Sequence, residues 1–402
     1  MHGSLKDGVT AANGFRASGI HSGVRKAKKD LALVYSEIPA NTAAVFTTNK
    51  VPAAPVIVDK IQLKESSMIQ AIVVNSGIAN ACTGERGLND AWKMVNTTAK
   101  FLGIAEHAVL VSSTGVIGQY LPIEKIEAGI ADATAMLSIE GHRAAAEAIM
   151  TTDKVVKEYC LQIACGETTV TIGGMAKGSG MIAPNMATML AFVTTDASIS
   201  HELLQSSLRK AVDHSFNRIS VDGDTSTNDM VIVLANGVAG NPEMRDETDP
   251  SYKAFYEGLE QVLVCLAKMI VLDGEGATKL IEIRVQGART ESVALQAAKS
   301  IANSNLVKTA IHGEDANWGR VFAALGYSKI HFNPAHVEMF IGEMSIVKQN
   351  FQISFSEDQA KRILSQKEIT LTIDLHRGKS SATFWTCDLS SMYVAINANY
   401  RT

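Results

Sequence analysis

The sequence predicts a mixed α/β protein of at least two lobes, and three observations carry that reading. At 402 residues the chain is too long for one average domain. Up to Leu306, apolar runs of strand type alternate with amphipathic stretches of helical period. From Val337 the pattern changes to closely spaced short strands, which implies a second, more antiparallel lobe.

Taken in order, a glycine-rich lead is followed by the basic patch Arg25, Lys26, Lys28 and Lys29, read as a solvated turn face because no aromatic residues interleave it. LALVYS from Leu31 and AAVFTT from Ala43 read as two strands. A strand from Ala71 feeds the loop NSGIANACTGERG at 75–87, where an α/β protein places either a ligand loop or a sharp turn. A helix over 88–102 leads to the strand 108–118, which ends in Ser112, Ser113, Thr114 and Gly115. Pro122 marks a helical N1 position, and HRAAAEAIM delivers the chain to Thr151-Thr152-Asp153, a cap or turn triplet.

TTVTIGG from Thr168 is a strand that enters the segment GGMAKGSGMIAPNMATMLAFVTTDA at 173–197. Gly178 and Gly180 around Ser179 suit a tight turn, and the run from Thr188 onward has the content of a buried strand, so composition alone reads Thr188 as a strand residue. Ser200 caps a helix with Leu204, Leu208 and Val212 on its apolar face. Residues 219–229 are acid-rich but fail the EF-hand rule, because Thr227 and Val233 stand where Gly and Glu are required. A strand from Val231, an exposed excursion at 241–251 and a helix carrying Phe255, Leu259, Leu263, Leu266 and Ile270 follow. Glu275, between two glycines, is either a solvated turn acid or a carboxylate held at a site.

The strand KLIEIRVQGA and a helix over 293–306 lead to IHGEDANWGR, whose His312, Glu314 and Asp315 match no standard ligand spacing. The short strands VEMFIGEMSIV, FQISFSE, EITLTIDLH and SATFWTCDLS follow with one helix over 358–364, and YVAINANYRT reads as a tied-down terminus. No phosphate loop is present, since in GGMAKGSG the lysine precedes the glycine, and no GxGxxG fingerprint occurs. The net charge of -4 speaks against a polyanion-binding surface, so neither nucleic acid nor membrane is an expected partner. Five spaced cysteines and the lack of a signal-type or membrane-spanning run set a cytoplasmic expectation.

Eight segments together resemble the ArgJ family, the glutamate N-acetyltransferases also called ornithine acetyltransferases: NSGIANACTGERG, VSSTGVIG, AIMTTD, the 173–197 segment, NRISVDGDTSTND, DGEGATK, HGEDANWGR and NANYRT. The resemblance covers essentially the whole chain. It implies a DmpA/ArgJ-like α/β fold of layered mixed sheets with helices and a smaller C-terminal lobe. It also implies self-cleavage between Ala187 and Thr188, giving an α chain (1–187) and a β chain (188–402) whose smaller lobe starts at about 280. Thr188 would then be a new N-terminus and the nucleophile. Its own α-amine, with a reference pKa of about 7.7–8.0, would supply the base that a threonine hydroxyl needs.

By the same resemblance Thr114 and Gly115 form the oxyanion hole, and Thr151, Lys177, Thr188, Glu275, Asn397 and Thr402 contact substrate, with Thr152 an alternative to Thr151. The charges agree: a substrate carboxylate wants a cation such as Lys177, and an ammonium wants an acid such as Glu275. The reaction implied is acetyl transfer from N-acetylornithine to glutamate, without metal or organic cofactor, with acetyl-CoA as a second donor in part of the family. The αβ units would associate in pairs as a heterotetramer. The alternatives are an N-terminal-nucleophile amidohydrolase or aminopeptidase, which delivers the acyl group to water, and a non-enzymatic binding protein.

Overall fold

The computed structural model describes residues 8–183 and 189–399. The chain divides into two compact units: Met1–Met181, Asn185–Asn217 and Asp224–Ile270 form the first, and Ile182–Pro184, Arg218–Gly223 and Val271–Thr402 the second. The strands, in chain order, are β1 (Phe15–Ile20), β2 (Leu31–Phe46), β3 (Met68–Ile78), β4 (Val109–Val116), β5 (Lys157–Cys165), β6 (Thr168–Lys177), β7 (Leu190–Thr195), β8 (Ile219–Ser220) and β9 (Met230–Ala235). All but β8 build the sheet of the first unit, in the order β4-β3-β2-β9-β7-β6-β5 with β1 paired to β2. The helices α1 (Ala54–Glu65), α2 (Gly84–Leu102), α3 (Ile123–Ala135), α4 (His142–Ala148), α5 (His201–Asp213) and α6 (Tyr252–Leu272) connect its strands.

Strand alternation gives this sheet two apolar faces, and both are covered. Ala32, Val34, Ile72, Val74 and Leu110 share one core with Met175, Leu190, Phe192 and Ile232. Their neighbours Leu31, Leu33, Ala71, Val73, Val109 and Val111 pack on Met94 and Val95 of α2 and Ile126 and Ile130 of α3. Strands buried on both sides are why these stretches read as continuous apolar runs instead of alternating ones. Each Val, Leu, Ile, Phe or Met side chain among them contributes about 1.5–3 kcal/mol by leaving water.

One polar group sits inside this packing. Asp59 of α1 is fully buried, and its Oδ1 accepts the Val111 N–H at 2.8 Å. Its Oδ2 has no hydrogen-bond partner among the described residues. Burial pushes the carboxyl well above its ordinary range, against the Val111 hydrogen bond. The folded state therefore keeps a proton that the unfolded chain releases near pH 4, and stability falls as pH rises toward the folded value. Asp59→Asn retains the acceptor and removes the titration. Its melting temperature should gain on the parent's as pH rises from 5 to 8; a pH-independent difference contradicts this.

In the second unit β8 joins β10 (Leu280–Ala288), β11 (Glu338–Ile341), β12 (Met344–Lys348), β13 (Gln352–Ile353), β14 (Glu368–Asp374) and β15 (Ser380–Cys387). The order is β13-β12-β11-β14-β10-β15-β8, antiparallel except for β10–β14 and β15–β8. The helices here are α7 (Glu291–Ala302), α8 (Asn305–His312), α9 (Trp318–Gly326), α10 (Glu357–Leu364) and α11 (Ser391–Ala398).

Several sequence expectations change. The two strands expected from Leu31 and Ala43 are one strand, β2, whose pairing with β3 shifts register between Tyr35 and Ala40. Pro122 is the N-cap of α3, not its N1 residue. Helix 293–306 is two helices, because the chain leaves α7 at Asn303 and the Ser304 hydroxyl caps α8 by accepting the Val307 N–H. VEMFIGEMSIV is a hairpin, β11–β12, turning at Gly342 with φ +58°. Strand β5 escaped notice because its sequence, KEYCLQIAC, mixes charged and apolar residues. The excursion 241–251 is mostly exposed, yet fully buried Met244 pins it to Ser198 and Ser200 through backbone hydrogen bonds. Ser200 caps α5 as expected, and Leu204, Leu208 and Val212 are buried.

Candidate active site

In the first unit the candidate residues gather where β3 and β4 end. The two strands run parallel, with Ser76 beside Thr114 and Gly77 beside Gly115. Gly115 has φ +132°, and a Cβ there would lie 2.2 Å from the Gly77 carbonyl carbon. No other residue fits so close a backbone approach. Gly115→Ala should cost roughly 2–4 kcal/mol, since strain and a backbone clash add; a loss under about 0.5 kcal/mol by denaturant titration contradicts the geometry.

Thr114 is buried, and its Oγ1 accepts a hydrogen bond from Lys177 Nζ at 3.3 Å. Behind it, Ser113 Oγ donates to Asn75 Oδ1 at 2.6 Å. Lys177 is the last residue of β6 and only 2% exposed. An ammonium this deep survives only beside negative charge or strong acceptors.

Asp153 provides that charge and organises the neighbourhood. Its Oδ1 accepts from Lys157 Nζ at 2.7 Å and from the Gly178 N–H at 2.8 Å. Its Oδ2 accepts the Thr151 N–H at 2.9 Å. One carboxylate thus staples the Thr151 turn to the residue after Lys177. Burial alone raises the Asp153 carboxyl, but the charges of Lys177 and Lys157 and its hydrogen bonds outweigh that and hold it well below the usual range. Arg25 reaches the same turn, donating from Nη1 to the Met150 carbonyl at 2.7 Å and from Nη2 to that of Thr151 at 3.4 Å. The basic patch is therefore not wholly a solvated face: Lys26 and Lys28 are exposed, whereas Arg25 is half-buried and anchored.

The second unit holds another pair. Glu275 is 6% exposed, which removes the solvated-turn alternative, and its Oε2 accepts from Asn397 Nδ2 at 2.8 Å. The loop and α11 are bolted together around it. Gly276 has φ +73°, and a Cβ there would stand 2.5 Å from the Tyr393 nitrogen. Ser390 Oγ donates to the Gly276 carbonyl at 2.6 Å. Asp388 takes the N–H of Thr278 at 2.7 Å and of Lys279 at 2.8 Å, and bonds His312 Nδ1 at 2.7 Å. His312 and Glu314 thus have separate protein partners, Asp388 and Lys279. Among the described residues no group of three His, Cys, Asp or Glu has metal-holding geometry.

The structure therefore brings Thr114, Gly115, Lys177 and the Thr151 turn together in the first unit and pairs Glu275 with Asn397 in the second. Ala187, Thr188 and Thr402 lie outside the described residues. Sequence reasoning missed Asn228, Asp229, Lys157 and Arg25 as neighbours of these groups. Arg25 stood in the basic patch, and Asn228 and Asp229 in the NRISVDGDTSTND segment that carries part of the family resemblance, but neither pattern says which groups they meet.

A hydroxyl followed by a positive-φ glycine at the end of one strand, β4, backed by a buried lysine, can hold a negative oxygen. The class so defined is a mixed α/β protein of two units, the first of which buries the Thr114–Gly115–Lys177 cluster. Sequence comparison then gives the family: the ArgJ family model matches residues 16–402, and the chain belongs to the ArgJ family. It is 53% identical over 401 residues to the arginine biosynthesis bifunctional protein ArgJ of Symbiobacterium thermophilum, covering 99% of each chain. To the protein of that name from Geobacillus kaustophilus it is 50% identical over 400 residues, covering 99% of this chain and 97% of the relative. A crystal structure of the Bacillus halodurans protein of that name shares 50% identity, covers 45% of this chain and 96% of its own, and has a TM-score of 0.43.

Proposed function

We propose that this chain is a self-processing acetyltransferase of arginine biosynthesis, which moves the acetyl group of N2-acetyl-L-ornithine to L-glutamate through an acetyl-Thr188 intermediate. The observation that carries the reading is the Thr114–Gly115–Lys177 constellation, found in a chain at least half identical to relatives named for arginine biosynthesis. In the uncut chain the Thr188 hydroxyl attacks the Ala187 carbonyl, the peptide nitrogen leaves as an amine, and water hydrolyses the ester. Cleavage thereby makes the α-amine that later serves as base.

In turnover the Thr188 Oγ attacks the acetyl carbonyl while the α-amine takes the hydroxyl proton. Lys177 Nζ donates to Thr114 Oγ1, so the Thr114 proton is directed elsewhere and suits the oxyanion, beside the Gly115 N–H. Collapse breaks the amide bond and returns the proton to the departing ornithine amine. The glutamate amine then attacks the ester and restores the free threonine. Lys177 and Thr151 suit a substrate carboxylate, and Glu275 with Asn397 suits an ammonium, with Thr402 a further contact. The word bifunctional in the relatives' names supports acetyl-CoA as a second donor.

The α and β chains stay together, in this reading as a heterotetramer of two of each. Five free cysteines suit the reducing cytoplasm; among the described residues no helix is long and apolar enough to cross a membrane. The test supplies N-acetylornithine with and without glutamate. Transfer requires N-acetylglutamate to form in step with ornithine, whereas ornithine released at the same rate without glutamate identifies a hydrolase.

A further inference from the structure

The residue that follows Thr188 is gripped from two sides. Met189 donates its N–H to Asp229 Oδ1 at 2.8 Å, and its carbonyl accepts the Met230 N–H at 3.3 Å. From there β7 and β9 run parallel, Leu190 opposite Met230. Asp229 is fully buried, and its Oδ2 has no hydrogen-bond partner among the described residues. Burial pushes its carboxyl well up, opposed by the Met189 N–H, the Lys177 charge and Ser226. A group this costly to bury needs a reason beyond packing.

Its neighbour reaches the opposite way. Asn228, 4% exposed, donates from Nδ2 to the Ala79 carbonyl at 2.6 Å and to the Ser113 carbonyl at 2.8 Å. Ser113 immediately precedes Thr114. One dipeptide therefore ties down the residue after the nucleophile and the residue before the oxyanion donor.

Resting on the reading of Thr188 as nucleophile, we propose that Asn228 and Asp229 are a positioning pair, which sets the separation between Thr188 and the Thr114–Gly115 donors in both self-cleavage and acetyl transfer. Neither side chain enters the chemistry. Both act through the backbone groups they hold, and small errors in that separation are expensive in rate.

The test compares Asp229→Ala, which loses the acceptor for the Met189 N–H, with Asp229→Asn, which keeps it. Full-length chains are followed on denaturing gels, and the cut enzyme is assayed with N-acetylornithine and glutamate. Asp229→Ala should cleave itself at least about tenfold more slowly and lose kcat by a similar factor at unchanged KM, while Asp229→Asn stays within about threefold of the parent. Equal slowing of the two variants, a rise in KM that accounts for the loss, or parental rates in Asp229→Ala overturns the proposal.

Should Asp229→Ala not fold, Asn228→Ala reads the other half. A kcat loss of about tenfold at unchanged KM supports the pair, and an unchanged kcat overturns it. A parent chain that never divides removes the Thr188 reading and this proposal together; a parent that divides beside an equally fast Asp229→Ala removes the positioning pair alone.

Discussion

Thr188→Ala is expected to remain a single uncut chain and to lose about 10⁴-fold or more of its transfer activity. The size follows from a double loss. Alanine supplies no hydroxyl to attack the Ala187 carbonyl, so the α-amine is never freed, and it supplies no hydroxyl to take the acetyl group afterwards. Residues that act as a unit fail together, so Thr188→Ala should be no better than a variant that also lacks the Thr114 hydroxyl. Thr188→Ser keeps the chemistry and should still divide. Normal turnover by an undivided Thr188→Ala chain would remove Thr188 from the nucleophile role.

Asp153→Ala should destabilise the fold by about 3–5 kcal/mol, the usual cost of leaving a buried charge without its partner. Here Lys157 at 1% exposure and Lys177 at 2% are the charges left behind. Against a total of roughly 5–15 kcal/mol, that is enough to bring the chain near unfolding. The exposed pair Arg16–Glu37 gives the contrast: Glu37→Ala should cost under about 1 kcal/mol.

Because the Asp153 carboxyl is held low in the folded state, the stability it contributes is fully present above about pH 4, the unfolded value, and is lost as pH falls through the folded one. The gap between parent and Asp153→Ala should therefore persist across neutral pH and close only in strong acid. Urea titrations at several pH values check both size and sign; a gap under about 1 kcal/mol at pH 7 contradicts the stapling role.

Much of this was legible in the chain because the signals were local. The Ser200 cap, the apolar stripe of α6 and the strand ends at Thr114–Gly115 are written in neighbouring residues. Glu275 was singled out by composition, but whether it faces water depends on Asn397, 122 residues away, and spacing alone carries no such information. Asp153 looked like a cap residue because its two lysine neighbours come from different strands, β5 and β6. Asn228 and Asp229 were not singled out for the same reason: their partners, Ser113 and Met189, meet them only after the sheet has formed. The break between α7 and α8 was lost because Asn303 and Ser304 fit a continuous helical pattern and show their capping role only through geometry.

The central claim is that Thr188 is made an N-terminus by the protein itself and then carries the acetyl group. The most direct test is the intact mass of the purified protein after brief exposure to N-acetylornithine without glutamate. Two chains that meet between Ala187 and Thr188, with one acetyl group added to the chain that begins at Thr188, are the predicted result. An undivided chain that turns over substrate, or a divided one that never gains the acetyl group while transferring it, would contradict the account.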